Sequence, residues 1–141
     1  SGSGIQTENL INNGINPKNI TLSDINPKAI KYLRKRFSSS KIIKSNLFSN
    51  IREKFDVIVF NPPYLPQHKF DNQKDTTGGK IGSEIINKFL KQAKAHLNSN
   101  GKIFLLISSL TKGLNLNGYH KKIIVRKKLF FEELYVFELF L

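Results

Sequence analysis

The sequence predicts an α/β sandwich, with helices layered on a mostly parallel sheet that closes in a C-terminal antiparallel hairpin. Three observations carry this. Short apolar runs alternate with helix-spaced apolar patterns along the chain. The run FDVIVF (Phe55 to Phe60) is continuous, as in a strand covered on both faces. The runs KKIIVRKK and ELYVFELFL lie close together at the end, spaced to pair with each other.

Taken in order, Ile5 to Asn12 reads as a helix with Ile5, Leu10 and Ile11 inward and Gly14 as its stop. NITLSD (Asn19 to Asp24) alternates as a strand does. Asn26-Pro27 is a cap followed by proline at the first helical position, opening a helix to about Phe37 that buries Ile30, Leu33 and Phe37. KIIK (Lys41 to Lys44) reads as a short edge strand, because a lysine at each end discourages further pairing. The segment from Asn61 to Lys80 is polar, holds three prolines and Gly78-Gly79, and is longer than a structural connection requires; it reads as an active-site loop. From Ile81 to Leu97 apolar residues recur at helical spacing up to Asn100-Gly101. KIFLLISS is the next buried strand, and a loop with Gly113 and Gly118 leads to the hairpin.

The 141 residues predict one domain, residues 1–141, without linker or repeat. The formal charge of +13 predicts attraction to acidic partners and to nucleic acid, yet 19 of the 23 basic residues are lysine, a bias that also arises as a compositional habit. The absence of cysteine excludes disulfides and thiolate metal sites, and His68, His96 and His120 are too far apart for a local cluster, so no metal is expected. No apolar run is long enough to span a bilayer, because Glu132, Glu133 and Glu138 interrupt the C-terminal one, and no secretory signal opens the chain. A cytoplasmic protein without membrane contact is the expectation. The chain contains no Met, so Ser1 is not an untouched translation start.

Two constellations carry chemistry. Ser1-Gly2-Ser3-Gly4 precedes a helix, and Asp24 ends the following strand. Glycines let the backbone turn tightly against a cofactor, and a strand-ending carboxylate accepts hydrogen bonds from ribose hydroxyls. Thr7 stands where a dinucleotide fingerprint has its third glycine, so close packing on a pyrophosphate is not supported. The second is Asn61-Pro62-Pro63-Tyr64, directly after FDVIVF, where open α/β sheets place their ligands. Each proline fixes its own φ and pushes the preceding residue into an extended conformation. The Asn61 side-chain oxygen and the Pro62 carbonyl can then accept both N–H bonds of one planar NH2 group, with the Tyr64 ring beside it. Such a grip favours pyramidalisation and frees the nitrogen lone pair for attack. No strong base is needed, because the nitrogen becomes acidic as it gains positive charge.

NPPY after a strand, with an upstream glycine loop and a strand-ending acid, resembles the amino-methylating class I S-adenosylmethionine-dependent methyltransferases. SGSGI, SDINPKAI, FDVIVFNPPYLP and TGGKIGSEIINKFLKQAKAHLNSNGKIFLLISSL are similar to the HemK-like release-factor glutamine methyltransferases, in particular their short archaeal and eukaryotic branch. The resemblance implies a Rossmann-like class I methyltransferase sandwich using S-adenosylmethionine and releasing S-adenosylhomocysteine. Gly2 and Gly4 would line the methionine part of the cofactor, Asp24 would hold its ribose, and Asn46-Leu47 would flank its adenine, with Asn46 where the family commonly has Asp. Asn61 and Pro62 would orient the substrate amide, and Pro63 and Tyr64 would shape its slot. The implied reaction is methyl transfer to the glutamine of the Gly-Gly-Gln loop of a class I release factor. It is an in-line displacement in which positioning contributes up to roughly 7–11 kcal/mol. The family has a central strand ending in an acid before SGSG, so the domain reads as N-terminally incomplete, that strand being expected upstream or from another chain. The branch also implies a small zinc-binding activator subunit, with KIIK as the candidate edge for β-augmentation.

The alternative is a methyltransferase of adenine or guanine amino groups in RNA or DNA, suggested by NPPY and the charge. Against it, Phe70 is the only aromatic between Tyr64 and the next helix, and a base-flipping pocket benefits from stacking surfaces. A non-enzymatic binding module would leave NPPY without a purpose. His68 and Lys69 read as solvated loop residues, Glu84 and His96 as favourable contacts with helix ends, and Lys121, Lys122, Lys127 and Lys128 as a solvated face.

Overall fold

Residues 1–62 and 83–141 are described by a computed structural model, in which the chain forms two compact units, Ser1–Arg52 and Glu53–Leu141. Among these residues the strands form two sheets, where the sequence predicts one. The first unit holds a parallel pair, and the second a four-stranded sheet with a parallel ladder at one border and two antiparallel ladders beyond it. The C-terminal hairpin is as expected.

In the first unit, α1 (Ile5–Asn12) opens from Gly4 in the left-handed region, φ +78°. Its buried residue is Thr7, and Ile11, one turn on, packs on the core, whereas Ile5 and Leu10 are exposed. The prediction that Ile5 and Leu10 point inward is therefore corrected: residues 7 and 11 share one stripe, and 5 and 10 fall off it. A 3-10 turn at Pro17–Asn19 takes the start of the predicted strand, so β1 is Thr21–Asp24. The α2 helix (Pro27–Arg36) begins as its residues dictate, with the Asn26 side chain accepting from the Lys28 N–H at 2.9 Å and Pro27 at the first position. Its buried Leu33, with Phe37 just beyond the helix, forms the core with Ile20 and Leu22. Strand β2 (Lys41–Lys44) pairs with β1 in parallel, Thr21 opposite Lys41 through Asp24 opposite Lys44.

The second unit starts with β3 (Phe55–Phe60). Only Ile58 in it is fully buried, while Val57 and Val59 are 52% and 41% exposed. The expectation of burial on both faces is corrected: β3 is an edge strand of its sheet, with one covered face. The α3 helix (Glu84–Ala93) buries Ile86, Phe89, Leu90 and Ala93, and a 3-10 turn at Lys94–His96 follows. The Phe89 ring stacks on Phe60 with centroids 4.2 Å apart. Leu97, predicted to close the helix, instead opens β4 (Leu97–Ser108), and Asn100-Gly101 lies inside that strand. Residues 98–101 are looped out between the pairs Phe55 to Leu97 and Val57 to Lys102, with Asn100 at φ +65°. β5 (His120–Lys128) and β6 (Glu133–Phe140) complete the order β3-β4-β6-β5. The segment before β5 is fastened to α3: Asn87 donates to the Gly113 carbonyl and accepts from the Asn115 N–H, and the Tyr119 hydroxyl donates to the Leu90 carbonyl at 2.8 Å. Burial pushes the Tyr119 hydroxyl up to about 12.

Gly4 is where the backbone most needs glycine. Besides its positive φ, a Cβ there would stand 2.4 Å from the buried Phe37 ring, whereas at Gly14, φ +90°, it would meet nothing within 4 Å. Gly4→Ala is expected to destabilise the protein by about 2–4 kcal/mol, combining left-handed strain with overpacking, and Gly14→Ala by about 1–2 from strain alone. Urea unfolding midpoints of the two variants check the order.

Candidate functional site

Both halves of the predicted site lie at carboxyl ends of parallel strands, one in each unit. In the first unit, Asp24 ends β1, and its Oδ2 accepts from the Gly2 N–H at 3.0 Å and from the Ser1 nitrogen at 2.8 Å, while Oδ1 accepts from the Asn26 N–H at 2.9 Å. The carboxylate thus ties the glycine loop to the strand end and also caps the turn into α2. Burial alone would raise its pKa. The hydrogen bonds from the Ser1 nitrogen and from the Asn26 and Gly2 N–H groups outweigh that and hold the carboxyl below its ordinary value. One strand over, the Ser45 N–H donates to the Asp24 carbonyl at 2.9 Å, which sets the turn beginning at Asn46 beside Asp24. Leu47 in that turn is left-handed, φ +54°, and the Asn46 N–H donates to Ser49 Oγ at 3.2 Å.

Gly2, Asp24 and the Asn46-Leu47 turn are therefore brought together at one end of the β1–β2 pair. A nucleoside-bearing cofactor fits this donor set. A carboxylate has about four lone-pair sites, and three are used here, leaving Oδ1 able to accept from a hydroxyl. A Cβ on Gly2 would meet nothing within 4 Å, so its backbone is open to close approach.

In the second unit, Phe60 pairs with Leu105, and Asn61 and Pro62 continue from that end of β3. Asn61 is exposed, and among the described residues its side chain makes no hydrogen bond; Pro62 is buried. Pro63, Tyr64, His68, Lys69, Phe70, Gly78, Gly79 and Ile81 lie outside the described residues. Ser83, next to α3, is fully buried, and among the described residues its Oγ has no hydrogen-bond partner. His96, expected at a helix end, has its Nδ1 2.8 Å from the Glu53 carbonyl, which accepts its hydrogen.

A polar cluster at the same end of this sheet has no local sequence signature. Buried Ser108, the last residue of β4, donates from Oγ to Glu132 and accepts from the Leu110 N–H at 3.1 Å. Ser109 Oγ accepts from the Glu133 N–H at 3.0 Å. The pairing spans more than twenty residues, so only the fold reveals it.

Helices on parallel strand pairs, with antiparallel C-terminal strands, match a class I methyltransferase fold, as the structural neighbours show. A solved structure described as the E. cuniculi Mtq2–Trm112 complex responsible for methylation of the eRF1 translation termination factor superposes with a TM-score of 0.73 at 25% identity, covering 98% of this chain and 79% of that one. The family model described as methyltransferase small domain matches residues 1–121, and the chain belongs to that family. Among curated relatives, a Methanocaldococcus jannaschii protein provisionally named protein N5-glutamine methyltransferase is 40% identical over 104 residues, 66% of this chain and 53% of the relative. The release factor glutamine methyltransferase of Rhodopirellula baltica is 30% identical over 105 residues, 62% of this chain and 36% of that protein. Ribosomal RNA small subunit methyltransferase C of Buchnera aphidicola is 33% identical over 91 residues, 64% of this chain and 24% of that protein. The chain thus spans about half or less of the length of these relatives. Among the described residues, no helix is long and apolar enough to cross a membrane.

Because the folded state lowers the Asp24 pKa, its contribution to stability is complete above the ordinary value of 3.8 and is lost as pH falls through the folded value. The urea midpoint of the native protein is expected to drop more steeply between about pH 5 and 2 than that of Asp24→Asn. Parallel slopes would show that the carboxylate's hydrogen bonds contribute nothing.

Proposed function

We propose that this protein is an S-adenosylmethionine-dependent N-methyltransferase whose acceptor is the glutamine side-chain amide in the Gly-Gly-Gln loop of a class I release factor, as in the HemK-like enzymes. The observation that carries it is the position of Asn61-Pro62: the two residues leave the carboxyl end of a strand in a parallel pair, with the Asn61 amide unengaged among the described residues. The names of the M. jannaschii and R. baltica relatives support glutamine as the acceptor.

In this reading Asp24 and the Gly2–Gly4 loop hold the ribose and methionine portions of the cofactor, and Asn46-Leu47 borders its adenine. The cofactor supplies an electrophilic methyl group on a sulfonium. The chain's own work is positioning: the Asn61 side-chain oxygen and the Pro62 carbonyl accept the two amide N–H bonds, and Pro63 and Tyr64 complete the slot. Holding the nitrogen lone pair toward the methyl group turns an encounter into a near-attack geometry. One amide proton is lost as the nitrogen gains positive charge.

A small zinc-binding activator subunit pairing along the outer edge of β2 belongs to the same reading, supported by the two-protein complex named for the solved relative. So does the strand expected upstream of Ser1, since β1 and β3 each have a single strand neighbour among the described residues. A second reading, methylation of a nucleobase amino group in ribosomal RNA, draws on the B. aphidicola relative and the charge of +13.

The test is transfer of a labelled methyl group to a release factor, to its Gln→Ala variant and to ribosomal RNA. Label on the factor alone, absent from the Gln→Ala variant, is expected; label on RNA alone reverses the assignment. Asn61→Ala is expected to lower kcat about 100-fold or more while leaving cofactor affinity within a few-fold. Asp24→Ala is expected to act oppositely, weakening cofactor binding measured by calorimetry.

A further inference from the structure

The four-residue turn Leu129–Glu132 between β5 and β6 is held firmly and yet exposes the two most accessible aromatic side chains described. The Leu129 N–H donates to the Glu132 carbonyl at 2.8 Å, the Glu132 carboxylate accepts from buried Ser108, and the Ser109 N–H donates to the Glu133 carbonyl at 2.8 Å. From this anchored turn Phe130 and Phe131 stand 96% and 87% exposed, their rings edge-to-face with centroids 5.2 Å apart. They border an open hollow of ≈ 290 Å³ that Ser109 and Lys128 also line. Folding gains little from two phenylalanines in water, and rigid aromatic anchors ringed by charge are what buried interface centres are built from.

Strand pairing places this turn on the rim where Asn61 emerges. β4 runs parallel to β3, so both finish at one end of the sheet. β6 runs antiparallel to β4, Ser108 opposite Leu134, so it starts at that end, and β5 finishes there. Two to three strand spacings separate β3 from the hairpin, about 10–15 Å. β4 also continues three residues beyond the Phe60–Leu105 pair, which lifts the turn roughly 10 Å above the level at which Asn61 leaves its strand. The flank is basic: Arg126, Lys127 and Lys128 precede the turn, and among the described residues neither Lys127 nor Lys128 makes an ion pair. The nearby acids are engaged, Glu132 by Ser108 and Glu133 by Arg126 and the Tyr135 hydroxyl.

We propose that the Phe130-Phe131 turn, with Lys127 and Lys128, is a docking surface for the substrate protein, seating in an apolar pocket edged by carboxylates that lies on the factor outside its acceptor loop. The proposal rests on the release-factor reading above. A protein surface suits this patch better than RNA, because Ile123, Ile124 and Val125 are 40–50% exposed along the same strand and aliphatic side chains offer nothing to a phosphodiester backbone. The arrangement separates affinity, supplied by the hairpin, from chemistry, supplied at Asn61.

The experiment compares the native protein, with its complete chain and any activator, against Phe130→Ser/Phe131→Ser and Lys127→Glu/Lys128→Glu. Both pairs are exposed, so thermal unfolding should be unchanged. With the whole release factor, KM is expected to rise roughly tenfold or more in each variant, with kcat and the Kd for S-adenosylmethionine unchanged. With a short Gly-Gly-Gln peptide, which cannot reach the hairpin, KM should not move. An unchanged KM for the whole factor overturns the proposal, as does an equal rise for the peptide. Loss of binding to an RNA oligonucleotide with no change in KM for the factor also overturns it and makes the patch an RNA surface. If the native protein transfers no methyl group to the factor, the release-factor reading fails and the proposal fails with it; transfer by the native protein with unaltered variants sinks the hairpin's role alone.

Discussion

The parallel ladder between β3 and β4 is the constraint from which the rest of the second unit follows. Its register, Phe60 opposite Leu105, decides which end of the sheet Asn61 leaves from. The stack of Phe60 on Phe89 fixes α3 against that same end. Once β4 is set, antiparallel pairing to β6 has no freedom about where the Leu129–Glu132 turn falls, and the bond from Ser108 to Glu132 locks it. A slip of one residue between β3 and β4 would turn Ile58 outward, so burial of that side chain and the register enforce each other.

The first unit uses the same geometry with a different tether. A carboxylate at a strand end has more acceptor sites than one partner can use, and Asp24 divides them between the glycine loop and the start of α2. The Gly2–Gly4 loop is therefore shaped before any ligand arrives, which lowers the ordering cost of binding. Gly4 contributes twice, by its left-handed φ and by leaving the space that Phe37 fills. Loop shape and core packing thus meet at one residue.

What was legible in the sequence is what local chemistry decides. Asn26-Pro27 announces its helix because cap and proline act within three residues, and Ile30, Leu33 and Phe37 are buried as their spacing predicts. The inward face of α1 was not legible: an eight-residue helix carries too few apolar side chains to define a stripe, and contact with the core selects Thr7 and Ile11. Asn100-Gly101 reads as a helix stop, yet it forms the tip of a loop inside β4, since the same residues serve any reversal that needs a positive φ. The strand-ending positions of Asp24 and Asn61 could be read, because Asp24 closes an alternating run and Asn61 directly follows an apolar one. The pairing of Ser108 with Glu132 and the exposure of Phe130 and Phe131 could not, because both depend on contacts across the sheet.

The two outer edges of the four-stranded sheet differ in a way that bears on the upstream strand. β5 carries Lys121, Lys122, Lys127 and Lys128 and a register shift between Ile123 and Val125, devices that keep an edge from accepting another strand. β3 has neither along Val57 to Phe60: its edge is apolar, regular in register and half exposed at Val57 and Val59. An unguarded apolar edge is a liability in a strand meant to stay at the border, and natural in one built for the interior. The FDVIVF run is thus composed for a strand with a neighbour along each edge, although only its Ile58 face is covered. This asymmetry supports the proposed central strand on grounds independent of any resemblance, because the guarded edge and the bare edge belong to the same sheet.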